Sequence, residues 1–150
     1  MKQRFRFAFE SLFLIRPVQP IGDEKKTVYF MEDQGMASWL AERGLSHPID
    51  IVRGIYANLR QELHYRPERE GKILQYRTKH GVEVPLVFKA KNIEIGIICS
   101  PERELAPKTL ASASRFLSEF PSSKVIIAYG GSEPVFKNSR HFWIPFYYLC

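Results

Sequence analysis

No stretch of the 150-residue sequence approaches the ~18–20 consecutive apolar residues that a membrane-crossing helix needs, so a helix-anchored membrane protein is not expected. Cysteine is scarce. Cys99 and Cys150 are too far apart for metal-ligand spacing, and two unpatterned thiols fit a reducing compartment, so the expected location is cytoplasmic. There is no internal repeat and no low-complexity segment. The phosphate-cradling loop G-x-x-x-x-G-K-[ST] is missing: "YGGSEP" (129–134) has glycines and a serine but no lysine, so Gly130 and Gly131 read as a turn after a strand and ATP binding is not expected. His47, His64, His80 and His141 are scattered through turns and ends without ligand spacing, and no nucleophile elbow surrounds the serines at 112, 114, 118, 122 and 123. No cofactor is expected.

Length and a globular balance of apolar and charged residues allow one domain with a real core, or one domain with a small appendage. The net charge of +6 permits contact with phosphate backbones but does not demonstrate it. The opening "MKQRFRFAFESLFLIRPV" has basic residues before an apolar patch, as a signal peptide does. Arg4, Arg6, Glu10 and Arg16 interrupt it and no clean cleavage site follows, so it reads as part of the fold.

Two short apolar runs, "SLFLIRPVQP" and "KTVYFME", flank "IGDEKK", whose Gly22-Asp23 supplies turn chemistry for a hairpin or wing. "GMASWLAERGL" reads as a short helix stopped by Gly44. From Pro48, apolar residues at 49, 52, 55, 56, 59 and 63 recur at helical steps, with Asp50 at the positive end of the dipole. Three strands joined by short links follow, over Lys72–Thr78, Val82–Lys89 and Asn92–Ser100. A second helix runs from about Pro107 to Phe120 with Leu110, Ala113, Leu117 and Phe120 inward; "SKVIIAYGG" is a buried-type strand, and "HFWIPFYYL" a last extended segment placed at a sheet edge by Pro145. The expected fold is α/β, a mixed sheet covered by helices.

Several phrases, in this order, resemble the C-terminal region of archaeal-type AAA ATPases. "LFLIRPVQPIG…KTVYFMEDQGMASWL" places Tyr29, Phe30, Asp33 and Gly35 where that family has a Tyr-Phe-x-Asp-x-Gly phrase. "GIYANLRQEL" holds Gly54 and Asn58 on the following helix, and "QYRTKHGVEVPLVF" matches at Tyr76, Arg77, Thr78, Gly81, Glu83 and Val84. The resemblance covers almost the whole chain. It implies a restriction-endonuclease-like, PD-(D/E)XK fold over 47–150, preceded over 1–46 by a winged-helix remnant and linker helix.

That fold implies an acid on the first helix, an aspartate on the second strand and Glu-x-Lys on the third, holding a divalent metal that activates water. Here the helix position falls, within a one-residue slip, on Ala57, the aspartate on Pro85, and Glu-x-Lys on Gly96 and Ile98; a slip of two makes Glu94 the acid but leaves Gly96 in place of lysine. The expectation is therefore a non-catalytic accessory or interaction module, without the ATPase half. The enzyme-class rival is a metal-dependent nuclease with a displaced site at Glu83 and Glu94, which simple alternation puts on one sheet face. A bare pair lacks metal-ligand spacing, and boundary ion pairing is favoured for it. Arg77, Lys79, Lys89 and Lys91 are candidate phosphate contacts, although the neighbouring basic residues are diluted by Glu62, Glu68 and Glu70. Phe142, Trp143, Phe146, Tyr147 and Tyr148 cannot all point inward on one strand, so a protein partner or a second copy through this aromatic end is the other expectation.

Overall fold

The computed structural model describes residues 2–12, 14–23, 25–33, 35–37 and 47–150. They form α1 (Lys2–Ser11), β1 (Ile15–Ile21), β2 (Val28–Met31), α2 (Pro48–Tyr65), β3 (Gly71–Arg77), β4 (Glu83–Ala90), β5 (Ile93–Ser100), α3 (Pro107–Glu119), β6 (Lys124–Tyr129), β7 (Val135–Asn138) and β8 (His141–Pro145). The helix expected over "GMASWLAERGL" lies for the most part outside the described residues. None of the described helices is long and apolar enough to cross a membrane.

Local chemistry explains where the two large helices begin. Pro48 has no N–H to leave unpaired in the first turn of α2, and His47 Nδ1 accepts from the Ile49 N–H at 3.3 Å. Asp50 sits in that first turn, favoured by the dipole, and its buried carboxylate pairs with Arg53 Nη1 at 2.9 Å. Ile51, Val52, Ile55 and Tyr56 form the buried face of α2. Helix α3 likewise opens on a proline. Its inner stripe is rotated by one position from the expected one: Ala113 and Phe116 are fully buried, while Leu110, Leu117 and Phe120 pack partly buried at the flanks.

The strands make one mixed eight-stranded sheet in the order β2-β1-β3-β4-β5-β6-β8-β7. The meander β3-β4-β5 is antiparallel, and α3 crosses over so that β6 returns parallel to β5. The N-terminal hairpin joins this sheet through a short parallel pairing of β1 with β3. It is therefore no separate unit: Val18 and Phe30 are buried in one cluster with Ile51, Val52, Ile55 and Tyr56 of α2, and the Phe30 and Tyr56 rings stack at 4.6 Å. A second cluster under α3 holds Tyr76, Val84, Val87, Ile98, Phe116 and Ile127 on the opposite sheet face.

The aromatic end departs from expectation. Strand β8 is not an edge: it lies between β6, parallel, and β7, antiparallel. Strand β7 takes the outside, and Phe146–Tyr148 turn into a 3-10 helix after Pro145. The sequence hides β7 because Phe136, Lys137 and Asn138 are exposed, and an edge strand so exposed carries no apolar run.

Candidate functional site

The two sheet faces decide what the positions implied by the resemblance can do. On β5, alternation sends Glu94, Gly96, Ile98 and Ser100 toward α3, and Ile95, Ile97 and Cys99 toward α2. Gly96 sits under the Phe116 ring, where an added Cβ would lie 2.9 Å from Phe116 Cε1 and 3.1 Å from Val84 Cγ1. Ile98 is 5% exposed in the same cluster. A carboxylate and a lysine at 96 and 98 would thus be buried in packed hydrocarbon without partners. The face that looks at α2, where Ala57 lies, carries only Ile93, Ile95, Ile97 and Cys99 on this strand. The residues present do not fit a divalent metal of the kind the resemblance implies.

Glu83 and Glu94 are not brought together. Strand β3 runs in register with β4 from Gly71↔Ala90 to Leu74↔Val87, then shifts so that Tyr76 pairs with Val84 and Arg77 with Glu83. The extra residue falls around Pro85, which has no N–H for the ladder, and such an insertion reverses the alternation beyond it. Val84 and Val87 consequently share the α3 face, and Glu83 turns to the face opposite Glu94. About six strand steps, roughly 20 Å, also separate Glu83 from Lys89, which stands opposite Glu94. This corrects the one-face expectation, and two carboxylates so placed cannot share one ion. Among the described residues no three of His, Cys, Asp and Glu gather closely enough to hold a metal.

The four candidate phosphate contacts split into two pairs. Arg77 and Lys79 lie at the Thr78–Val82 turn, whose hydrogen bonds are Thr78 N–H to Val82 O at 2.9 Å and Gly81 N–H to Thr78 O at 3.1 Å. Lys89 and Lys91 lie at the other end of β3, where they line a 750 Å³ concavity with Lys72, Glu70 and Leu74. Acids offset both lysines: Lys89 Nζ is 3.6 Å from Glu94 Oε2, and Lys91 Nζ is 3.9 Å from Glu70 Oε2. The Lys91 pair is solvent-exposed and contributes little to stability.

A more polar recess lies between α2 and the N-terminal hairpin. Pro17 and Pro20 of β1 offer no N–H, and the β1–β3 pairing begins only at Gln19↔Leu74. Toward the N-terminal ends of the two strands this leaves a 340 Å³ cavity lined by Arg16, Pro17, Tyr56, Arg60, Gly71 and Lys72 among others. It shares Arg16, Tyr56 and Arg60 with an adjoining 270 Å³ cavity lined also by Glu32, Ala57, Gln61, His64 and Tyr65. Arg16 Nε meets Glu32 Oε1 at 2.7 Å. Burial, and then the Glu32 charge, raise the Tyr56 hydroxyl above its ordinary range, while Arg60 and Arg16 pull it back. Arg60 Nε is buried and has no hydrogen-bond partner among the described residues. The helical step from Tyr56 and Ala57 to Arg60, Gln61 and His64 was visible in the sequence; Arg16 on β1 and Glu32 just after β2, more than twenty residues away, were not.

A third surface is aromatic. Phe136 is 70% exposed, and Tyr147 and Tyr148 are also exposed beyond β8. Lys137 Nζ sits 4.5 Å over the Trp143 ring. The thiols lie elsewhere: Cys99 is held under α2, where burial pushes it up to about 12, and Cys150 packs beside Gly54. No family model matches the chain, and no curated protein or solved structure matches it either.

Proposed function

We propose that the chain is a non-catalytic binding module on a restriction-endonuclease-like scaffold, related to the C-terminal regions of archaeal-type AAA ATPases, and that it adheres to nucleic acid through its phosphates. The scaffold reading is supported by the order α2, antiparallel β3-β4-β5, crossover α3 and parallel β6. The observation that carries the loss of catalysis is the packing at 96 and 98, where Phe116 covers Gly96 and Ile98 is core. Adhesion to phosphates is supported by the net charge of +6 and by two basic recesses flanking β3, one with Lys72, Lys89 and Lys91, the other with Arg16 and Arg60.

The test is a labelled duplex and a labelled single strand titrated with the protein in magnesium or manganese. Binding that falls steeply with salt and no cutting with either ion are expected. Metal-dependent cutting that disappears in Glu83→Ala overturns the reading, and so does failure to retain either strand form at low salt. A second reading, a protein partner or a second copy at the aromatic surface, is favoured by the exposure of Phe136, Tyr147 and Tyr148. It requires a mass that rises with concentration in light scattering and barely responds to salt.

A further inference from the structure

The recess between α2 and the hairpin is lined by donors from separate elements, and one of them, Arg60 Nε, has no acceptor among the described residues. Arg53, Arg66 and Arg69, its cationic neighbours along α2 and the following turn, have carboxylate partners at Asp50 and Glu62. Arg60 stands among them with Nε buried and no hydrogen-bond partner among the described residues. A guanidinium donor removed from water and left unpaired is costly, and its planar fork suits an oxyanion. Gln61 and His64 border the same 270 Å³ space, and Arg16 borders it from β1. Glu32 also faces this space, and its charge is offset by Arg16 at 2.7 Å. Arg16, Arg60 and Glu32 sum to +1 at this wall, and Lys72 lines the adjoining cavity. Donors arriving from two sides of a recess this size match a tetrahedral anion better than a planar carboxylate, which one guanidinium satisfies by itself.

We infer that this recess is a site for a single phosphate group, with Arg60 as its principal ligand and Arg16, Gln61 and His64 as further donors. The inference deepens the nucleic-acid reading and rests on it only for the source of the phosphate, a strand end rather than a free phosphate. Inorganic phosphate is titrated into the whole chain by calorimetry, and so are two otherwise identical short oligonucleotides, one with a 5′-phosphate and one without. Saturable one-to-one binding of inorganic phosphate is expected, weakened at least tenfold by Arg60→Gln and unchanged by Lys108→Gln, an exposed cation on α3 that borders neither recess. Ala57→Glu keeps Arg60 but sets a carboxylate on the same wall, and should weaken phosphate by a similar factor; thermal melts confirm that each variant is folded. A strand-end source predicts that the 5′-phosphorylated oligonucleotide binds at least tenfold tighter than its partner, and that Arg60→Gln removes the difference. Phosphate binding that is absent, or equal in wild type and both variants, overturns the site even where oligonucleotides still bind. Arg60-dependent phosphate binding without oligonucleotide binding supports the site and overturns the nucleic-acid reading.

Discussion

Gly96 shows how much one missing side chain can decide. An added Cβ would stand 2.9 Å from Phe116 Cε1 and 3.1 Å from Val84 Cγ1, and both of these residues are 0% exposed. The Phe116 ring cannot retreat, because it is tilted against Phe120 at 4.9 Å and set edge-on to Tyr76 at 5.4 Å. Gly96→Ala is therefore expected to destabilise the fold by about 1–3 kcal/mol, the ordinary cost of overpacking, read as a lower urea midpoint at unchanged slope. A midpoint equal to wild type would mean that the site is not closed. At this scale the sequence was legible in identity and illegible in direction. That Ala57, Pro85, Gly96 and Ile98 cannot ligate a metal needed only their names. That Glu83 and Glu94 occupy opposite faces needed the bulge around Pro85, which a period-two count steps over.

Elements with a strong period were legible, and those held by single polar contacts were not. Helix α2 and the meander β3-β4-β5 lie within a residue or two of their expected bounds because an apolar stripe repeats along each. Strand β7 and the turn into β8 depend instead on local bonds. Asn138 Oδ1 accepts from the Arg140 N–H at 2.8 Å, and the Arg140 guanidinium then reaches under the end of α3. It donates from Nε to Ser123 O at 2.9 Å, and from Nη2 to Leu117 O at 2.8 Å and Phe120 O at 3.2 Å. These include carbonyls that a helix end leaves without intrahelical partners, and a cation there also complements the dipole. Arg140→Ala should cost about 2–3 kcal/mol, the range for charged hydrogen bonds lost at partly buried carbonyls. Arg140→Lys, with one point charge and no fork, should recover less than half of that in the same urea melts. A loss under about 0.5 kcal/mol for Arg140→Ala, the level of an ordinary surface change, would show that the staple contributes nothing.

The whole molecule is one cooperative unit only if the hairpin and α2 share their core, and composition alone could not show this. The sequence suggests a natural break near residue 46, where a wing ends and a long helix begins. The packing crosses that point: Val18 and Phe30 are 1% and 4% exposed, packed with Ile51, Val52, Ile55 and Tyr56, which are likewise buried. The Gln75 side chain reaches back across the same point, donating from Nε2 to Lys26 O at 2.8 Å while itself 1% exposed. Removing the hairpin would uncover the α2 face, open one edge of β3 to solvent and leave the Gln75 amide without its acceptor. Losing two buried side chains of this kind costs on the order of 5 kcal/mol or more, which is comparable to the entire stability of a typical small domain. A fragment spanning 47–150 is therefore expected to lack a sharp thermal transition, to show poorly dispersed amide resonances and to bind a hydrophobic dye, whereas the full chain melts in a single step. Arg16 leaves with the hairpin, so the fragment should also lose inorganic phosphate binding. If the fragment instead melted cooperatively within a few degrees of the full chain, the hairpin would be an appendage, and the recess between it and α2 would have to be understood as a loose seam rather than a built site.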